Sequence, residues 1–125
     1  MATAIENKSV PPPPIDWPGS LPEWFVNWAL LQLGMAGQYT YQNSLLGGRL
    51  SKGGMVLDFY FPALELAINV QSTYFHYRTA AQRTNDMIQR AQLEGMGIRV
   101  VYIQEEDALR NPVFYTREAL RGIEH

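Results

Sequence analysis

The sequence predicts one α/β domain built on a mixed sheet, an antiparallel meander plus a parallel crossover strand, with helices against the faces. Three observations carry that prediction. Apolar and aromatic runs at 39–48, 55–61 and 64–71 are separated only by a polar glycine turn and by Pro62-Ala63, the tight spacing of antiparallel neighbours. A segment of helical period, 77–95, lies between the run at 64–71 and another at 98–103, and a strand–helix–strand step of this kind makes a right-handed parallel crossover. The chain has 125 residues, 46% of them hydrophobic, and no cysteine, so one core forms without disulfides or thiolate metal sites.

Taken in order, residues 1–19 carry four consecutive prolines and predict a flexible, extended tail of polyproline type, with the domain proper at 20–125. That arm, anchored by Ile15 and Trp17, is also the candidate contact for a protein partner or a homo-oligomer. Ser20-Leu21-Pro22-Glu23 opens a helix: Ser20 suits the N-cap, Pro22 the first turn, and Glu23 closes a capping box. The following WFVNWALLQLG is apolar nearly all round, as a deeply packed helix is, and Gly34 suits its stop. Strands follow at 39–48, at 55–61 after the turn Arg49 to Gly54, and at 64–71. In helix 77–95, Ala80, Thr84, Met87, Ile88 and Ala91 recur at helical spacing, and Gly95 with Gly97 ends it. IRVVYI at 98–103 is a buried-looking strand, Glu105-Glu106-Asp107 reads as a solvated loop, and Asn111-Pro112 caps a last helix.

Polar residues interrupt this pattern at one place. Asp58 stands alone in MVLDFYF, and on the next strand Glu65, Asn69 and Gln71 share the face opposite Leu66, Ile68 and Val70. If the hairpin pairs around Pro62-Ala63, Asp58 comes within reach of that polar face, whereas a one-residue slip turns it away. A carboxylate in such surroundings calls for a cation, a metal or several N–H donors. Each residue also has a plainer reading: backbone donors for Asp58, a solvent face for Asn69 and Gln71, the helix cap for Glu23, packing or surface for His76.

Formal charge is −2, which argues against a strongly basic nucleic-acid binder, yet the cations are eight Arg against two Lys. Arg grips phosphate with a planar two-pronged fork. Arg49, Lys52, Arg78 and Arg83 lie near the polar cluster and are the candidate phosphate contacts, with ordinary surface solubility as the alternative. Asp86 sits within a turn of Arg83 and Arg90. No run reaches the roughly 18 apolar residues of a membrane span. The N-terminus has no basic start before an apolar stretch, so the expected location is cytoplasmic.

The ordered set of these pieces resembles the PD-(D/E)XK nuclease superfamily. An acid on one strand, ten residues, then a polar pair spaced i, i+2 on the next is that family's skeleton. The surrounding text is similar to its small very-short-patch-repair-like and homing-endonuclease-like branch over residues 20–121. The corresponding pieces read Glu23, Val56-Leu57-Asp58-Phe59, Ile68-Asn69-Val70-Gln71-Ser72, Tyr74-Phe75-His76, Asp86 and Gly97-Ile98-Arg99-Val100-Val101. The resemblance implies a restriction-endonuclease-like fold and a hydrolase that cuts DNA with Mg²⁺ or Mn²⁺. It makes Asp58 the main metal ligand, Asn69 and Glu23 auxiliary ligands, Gln71 the positioner of the attacking water, and His76 a general acid or base. Two departures stand out: Asn69 occupies the usual Glu position and Gln71 the usual Lys position. They open a second reading, a catalytically inactive nuclease-fold module that binds DNA or a protein.

Overall fold

The computed structural model describes residues 9–45, 55–72 and 79–125. Its elements are α1 (Leu21–Gln32), β1 (Thr40–Leu45), β2 (Met55–Phe61), a 3-10 turn (Pro62–Leu64), β3 (Leu66–Gln71), α2 (Ala80–Gly95), β4 (Arg99–Gln104), α3 (Glu105–Arg110) and α4 (Pro112–Leu120). One sheet has the order β1-β2-β3-β4, antiparallel at the first two pairings and parallel at the third. The meander and the crossover are therefore both present. Glu105-Glu106-Asp107, expected as a loop, instead forms the acidic first turn of α3, where carboxylates oppose the positive end of the helix dipole.

Local chemistry starts and stops the helices. Ser20 and Glu23 make the reciprocal capping box of α1, and Thr79 with Gln82 does the same for α2. Gly34 (φ 78°) and Gly97 (φ 86°) take the left-handed conformation that ends α1 and α2. Met35 N–H then donates back to Leu30 at 2.9 Å and Ile98 N–H to Leu93 at 2.9 Å, so carbonyls the helix leaves open are satisfied.

The sheet divides the interior. On one face Phe59, Phe61, Leu66, Ile68, Val101 and Ile103 pack with Val26 and Leu30 of α1, Ala108 of α3 and Ala119 of α4. On the other, Leu57, Ala67 and Val100 pack with Ile98 and with Leu93 of α2. Helix α1, apolar all round, also meets Val113 of α4 through Trp28 and Ala29, and Val10 of the Pro-rich segment packs there too. Further along that segment, Trp24 Nε1 donates to Pro11 O at 2.7 Å, and the Trp17 ring lies 4.8 Å from Tyr41 and 5.2 Å from Trp24.

Helix α2 departs from the usual arrangement. Its helical-period stripe Ala80, Thr84, Met87, Ile88 and Ala91 is exposed, while Asp86, Gln89, Arg90 and Leu93 are its half-buried and buried residues and mark the sheet side. Among the described residues no helix is long and apolar enough to cross a membrane.

Candidate functional site

Asp58 sits where the sheet is least regular, and three features coincide there. β1 and β2 pair Tyr41 with Phe59 and Asn43 with Leu57, but the intervening pair, Gln42 with Asp58, is missing. Gln42 has φ 56°, a left-handed conformation that a residue with a side chain adopts only at a cost of about 1 kcal/mol or more. On the other side, β2 and β3 pair from Phe61–Leu66 to Phe59–Ile68 and then stop, so the next pair, Asp58 with Asn69, is outside the ladder. Finally, Phe59 and Phe61 pack on the α1 face while Leu57 packs on the α2 face, so alternation fails across Asp58.

Side chains take over where the ladder lapses. Asp58 N–H donates to Asn69 Oδ1 at 2.8 Å, and Val70 N–H donates to Asp58 Oδ2 at 2.8 Å. The corner is longer than Pro62-Ala63: Pro62–Leu64 form a 3-10 turn and Glu65 is left-handed, so Phe61 pairs with Leu66 and Asp58 comes opposite Asn69. Asn69 and Gln71 are buried, at 8% exposure each, not on a solvent face. Strand β3 is interior, with β2 on one side and the parallel β4 on the other.

Gln71 lies opposite Gln104 in the parallel register, and Gln104 Nε2 donates to Gln71 Oε1 at 2.9 Å. That bond holds the carbonyl end of Gln71 toward β4. Gln104 Oε1 is buried and has no hydrogen-bond partner among the described residues.

Glu23 reaches the site through a tyrosine. Its Oε2 serves the cap, accepting from Ser20 Oγ at 2.7 Å and Ser20 N–H at 3.4 Å, and its Oε1 accepts from the Tyr41 hydroxyl. One helical turn on, Asn27 Oδ1 accepts from the Tyr39 hydroxyl at 2.6 Å. The match is geometric: a four-residue step along a helix and a two-residue step along a strand both advance about 6 Å. Burial, then the hydrogen bond to Glu23 and the charges of Glu23 and Asp58, push the Tyr41 hydroxyl well above the usual tyrosine range, against a small opposing pull from Gln42. A Cβ at Gly19 would collide with that hydroxyl, so glycine is needed there.

The remaining candidates divide simply. Arg83 is exposed on α2, and Asp86 is half-buried on its sheet side. Arg49, Lys52, His76 and Arg78 lie outside the described residues. Among the described residues no group of three or more His, Asp or Glu side chains could hold a metal ion. Sequence reasoning missed Tyr41, Gln42 and Gln104. The available signal for Tyr41 was polar Glu23 and Asn27 four apart on an apolar helix, matched by Tyr39 and Tyr41 two apart on a strand.

No family model matches the chain, and no curated protein or solved structure matches it.

Proposed function

We propose that the chain is a metal-dependent DNA endonuclease of the PD-(D/E)XK type, with a restriction-endonuclease-like fold and a variant site. The observation that supports this reading is the lapse of the sheet on both sides of Asp58, with a carboxylate and an amide oxygen held in the gap by backbone N–H groups. A merely structural strand has no need of a left-handed Gln42 and a lost pairing at its one acid. Strain of this kind gathers at working sites.

The donor set suits a hard divalent cation. Asp58 would hold Mg²⁺ or Mn²⁺ by its carboxylate and Asn69 by its amide oxygen, with Glu23 as an auxiliary ligand that shares its Oε1 with Tyr41. With one full negative charge from Asp58 and Asn69, the pair suits a cation that arrives with the DNA phosphates, as Mg²⁺ held by one or two carboxylates commonly does. Bound there, the cation supplies neutralisation of phosphate charge and a lowered pKa for water. Gln71 offers N–H donors to a water or a phosphate oxygen, and Gln104 keeps it in that orientation. In the same reading His76 moves a proton, and Arg49, Lys52, Arg78 and Arg83 grip phosphates.

The test is cleavage of supercoiled and branched DNA in Mg²⁺ or Mn²⁺. The natural chain should cut with either ion, since carboxylate, carbonyl and water ligands suit both. Asp58→Ala should be silent with an unchanged circular dichroism spectrum, and cleavage retained in that variant would overturn the assignment. A second reading, an inactive nuclease-fold module for DNA or a protein partner, is favoured by the single carboxylate of the Asp58–Asn69 pair. Cleavage that appears only after Asn69→Glu, or none at all alongside salt-dependent DNA binding, selects it.

A further inference from the structure

Helix α2 turns its apolar side outward. Met87 is 70% exposed and Ile88 52%, and Ala80, Ala81, Thr84, Ala91 and Gly95 are exposed with them. At 100° per residue these positions form one stripe along the outer surface, opposite Asp86, Gln89, Arg90 and Leu93. Thr84 adds no polar demand, because its hydroxyl donates to Ala80 O at 2.9 Å and leaves its methyl to the stripe. A surface helix normally buries such a stripe, and here none of the described residues covers it.

The pattern of the stripe says what covers it. Read from either end it runs small, small, large, large, small, small: Ala80, Thr84, Met87, Ile88, Ala91, Gly95. Two antiparallel copies therefore set Met87 against Ile88 of the second copy, Thr84 against Ala91, and Ala80 against Gly95, with small residues letting the helix ends approach. The flanks agree. One carries Arg83 and Glu94, the other Asn85 and Gln92. A two-fold axis across antiparallel helices faces each flank with its own counterpart, so Arg83 meets Glu94 of the second copy and Asn85 meets Gln92, each about 3 Å out of level along the axis. Parallel packing would instead face the charged flank with the amide flank. Glu94 also lies 3.4 Å from Arg90 of its own helix, leaving half its side chain exposed for a second cation.

We infer that the α2 stripe is a homodimer contact, two copies packing these helices antiparallel about a two-fold axis between Met87 and Ile88. The contact is isologous, as two-fold interfaces are. A 16-residue helix is about 24 Å long, and a single helix pair buries less than the roughly 1,600 Å² of a standard interface. The dimer is accordingly reversible and concentration-dependent. It shares Arg83 with the endonuclease reading, where that side chain grips phosphate, and rests on that reading nowhere else.

Sedimentation velocity on the full chain, from micromolar to near-millimolar, tests it. Mass should rise from the 14.2 kDa of one chain toward twice that value, and Ile88→Glu should stay at one chain while keeping its helical signal. Arg83→Glu should weaken association about tenfold through two symmetry-related pairs, and adding Glu94→Arg should restore it. Because the chain has no cysteine, single introduced ones report geometry. Met87→Cys should cross-link between copies and Ala80→Cys should not. A chain that stays monomeric at every concentration overturns the inference, as does a dimer indifferent to Ile88→Glu. Efficient Ala80→Cys cross-linking overturns the antiparallel register.

Discussion

Replacing Asn69 by Asp tests whether the gap beside Asp58 is built for a cation. The two residues are opposite one another just past the end of the β2–β3 ladder, where facing residues have Cβ atoms about 5 Å apart. Two carboxylates at that separation repel by about 3 kcal/mol at an effective dielectric constant of 20. The new carboxylate also accepts the Asp58 N–H, now 2.8 Å from Asn69 Oδ1, as a charge-assisted bond worth about 1 kcal/mol more. The net loss is about 2 kcal/mol. For 125 residues, at about 2.1 cal/mol/K each, that lowers Tm by about 8 °C. Thermal melts followed by circular dichroism at pH 7 in chelator should show the drop, and millimolar Mn²⁺ should reverse most of it. Acidification should narrow the gap to the natural chain as well. Like charge raises the folded-state carboxyl above its unfolded value near 4, so the missing stability returns as pH falls through the raised value. An Asn69→Asp chain as stable in chelator as the natural one would refute the facing geometry. A destabilised chain indifferent to Mn²⁺ would refute the cation site.

Other expectations concern the partners of that gap and the edge of the sheet. Asp58→Asn keeps an acceptor for the Val70 N–H, so it should lose cleavage while its melting midpoint moves less than that of Asp58→Ala, which strands the N–H at about 1–3 kcal/mol. Tyr41 has a raised folded-state value, so its contribution is complete below about pH 10 and fades as pH rises from there through the folded value. Tyr41→Phe should flatten that alkaline loss, and Asp58→Asn, by removing a charge, should let Tyr41 ionise at lower pH in an absorbance titration. On the outer edge of β4, Arg90 Nη2 donates to Val100 O at 2.7 Å, and Glu124 Oε1 accepts from the Tyr102 N–H at 3.0 Å and from Arg90 at 2.7 Å. Glu124→Ala should cost about 1 kcal/mol and raise light scattering on heating, because it opens a strand edge to pairing between chains.

Much of this architecture is legible in the sequence because its signals are local. Ser20 with Glu23, Gly34 and Gly97 act on their own turns of helix, and Pro62-Ala63 marks the corner between β2 and β3. The sequence leaves the register open, and the 3-10 turn with the left-handed Glu65 is what sets Asp58 opposite Asn69. Gln104 could not be expected at the site: it meets Gln71 only because β4 returns parallel beside β3 after α2. Nor could the twist at Gln42, since nothing in YTYQNS distinguishes a left-handed residue from its neighbours.

By itself, then, the sequence determined the order of the strands and of the three longer helices, the caps and the mixed sheet. These depend on hydrophobic period and on contacts a few residues apart, which any chain segment carries with it. Tertiary structure alone decided which faces are covered. The stripe of α2 has the period of a core-facing helix, yet Asp86, Gln89 and Arg90 face the sheet and Met87 and Ile88 face outward. Periodicity says that a helix has two unlike sides. Which side goes in depends on what the rest of the chain offers it, and here Val100 O and the Glu124 carboxylate offer partners to Arg90.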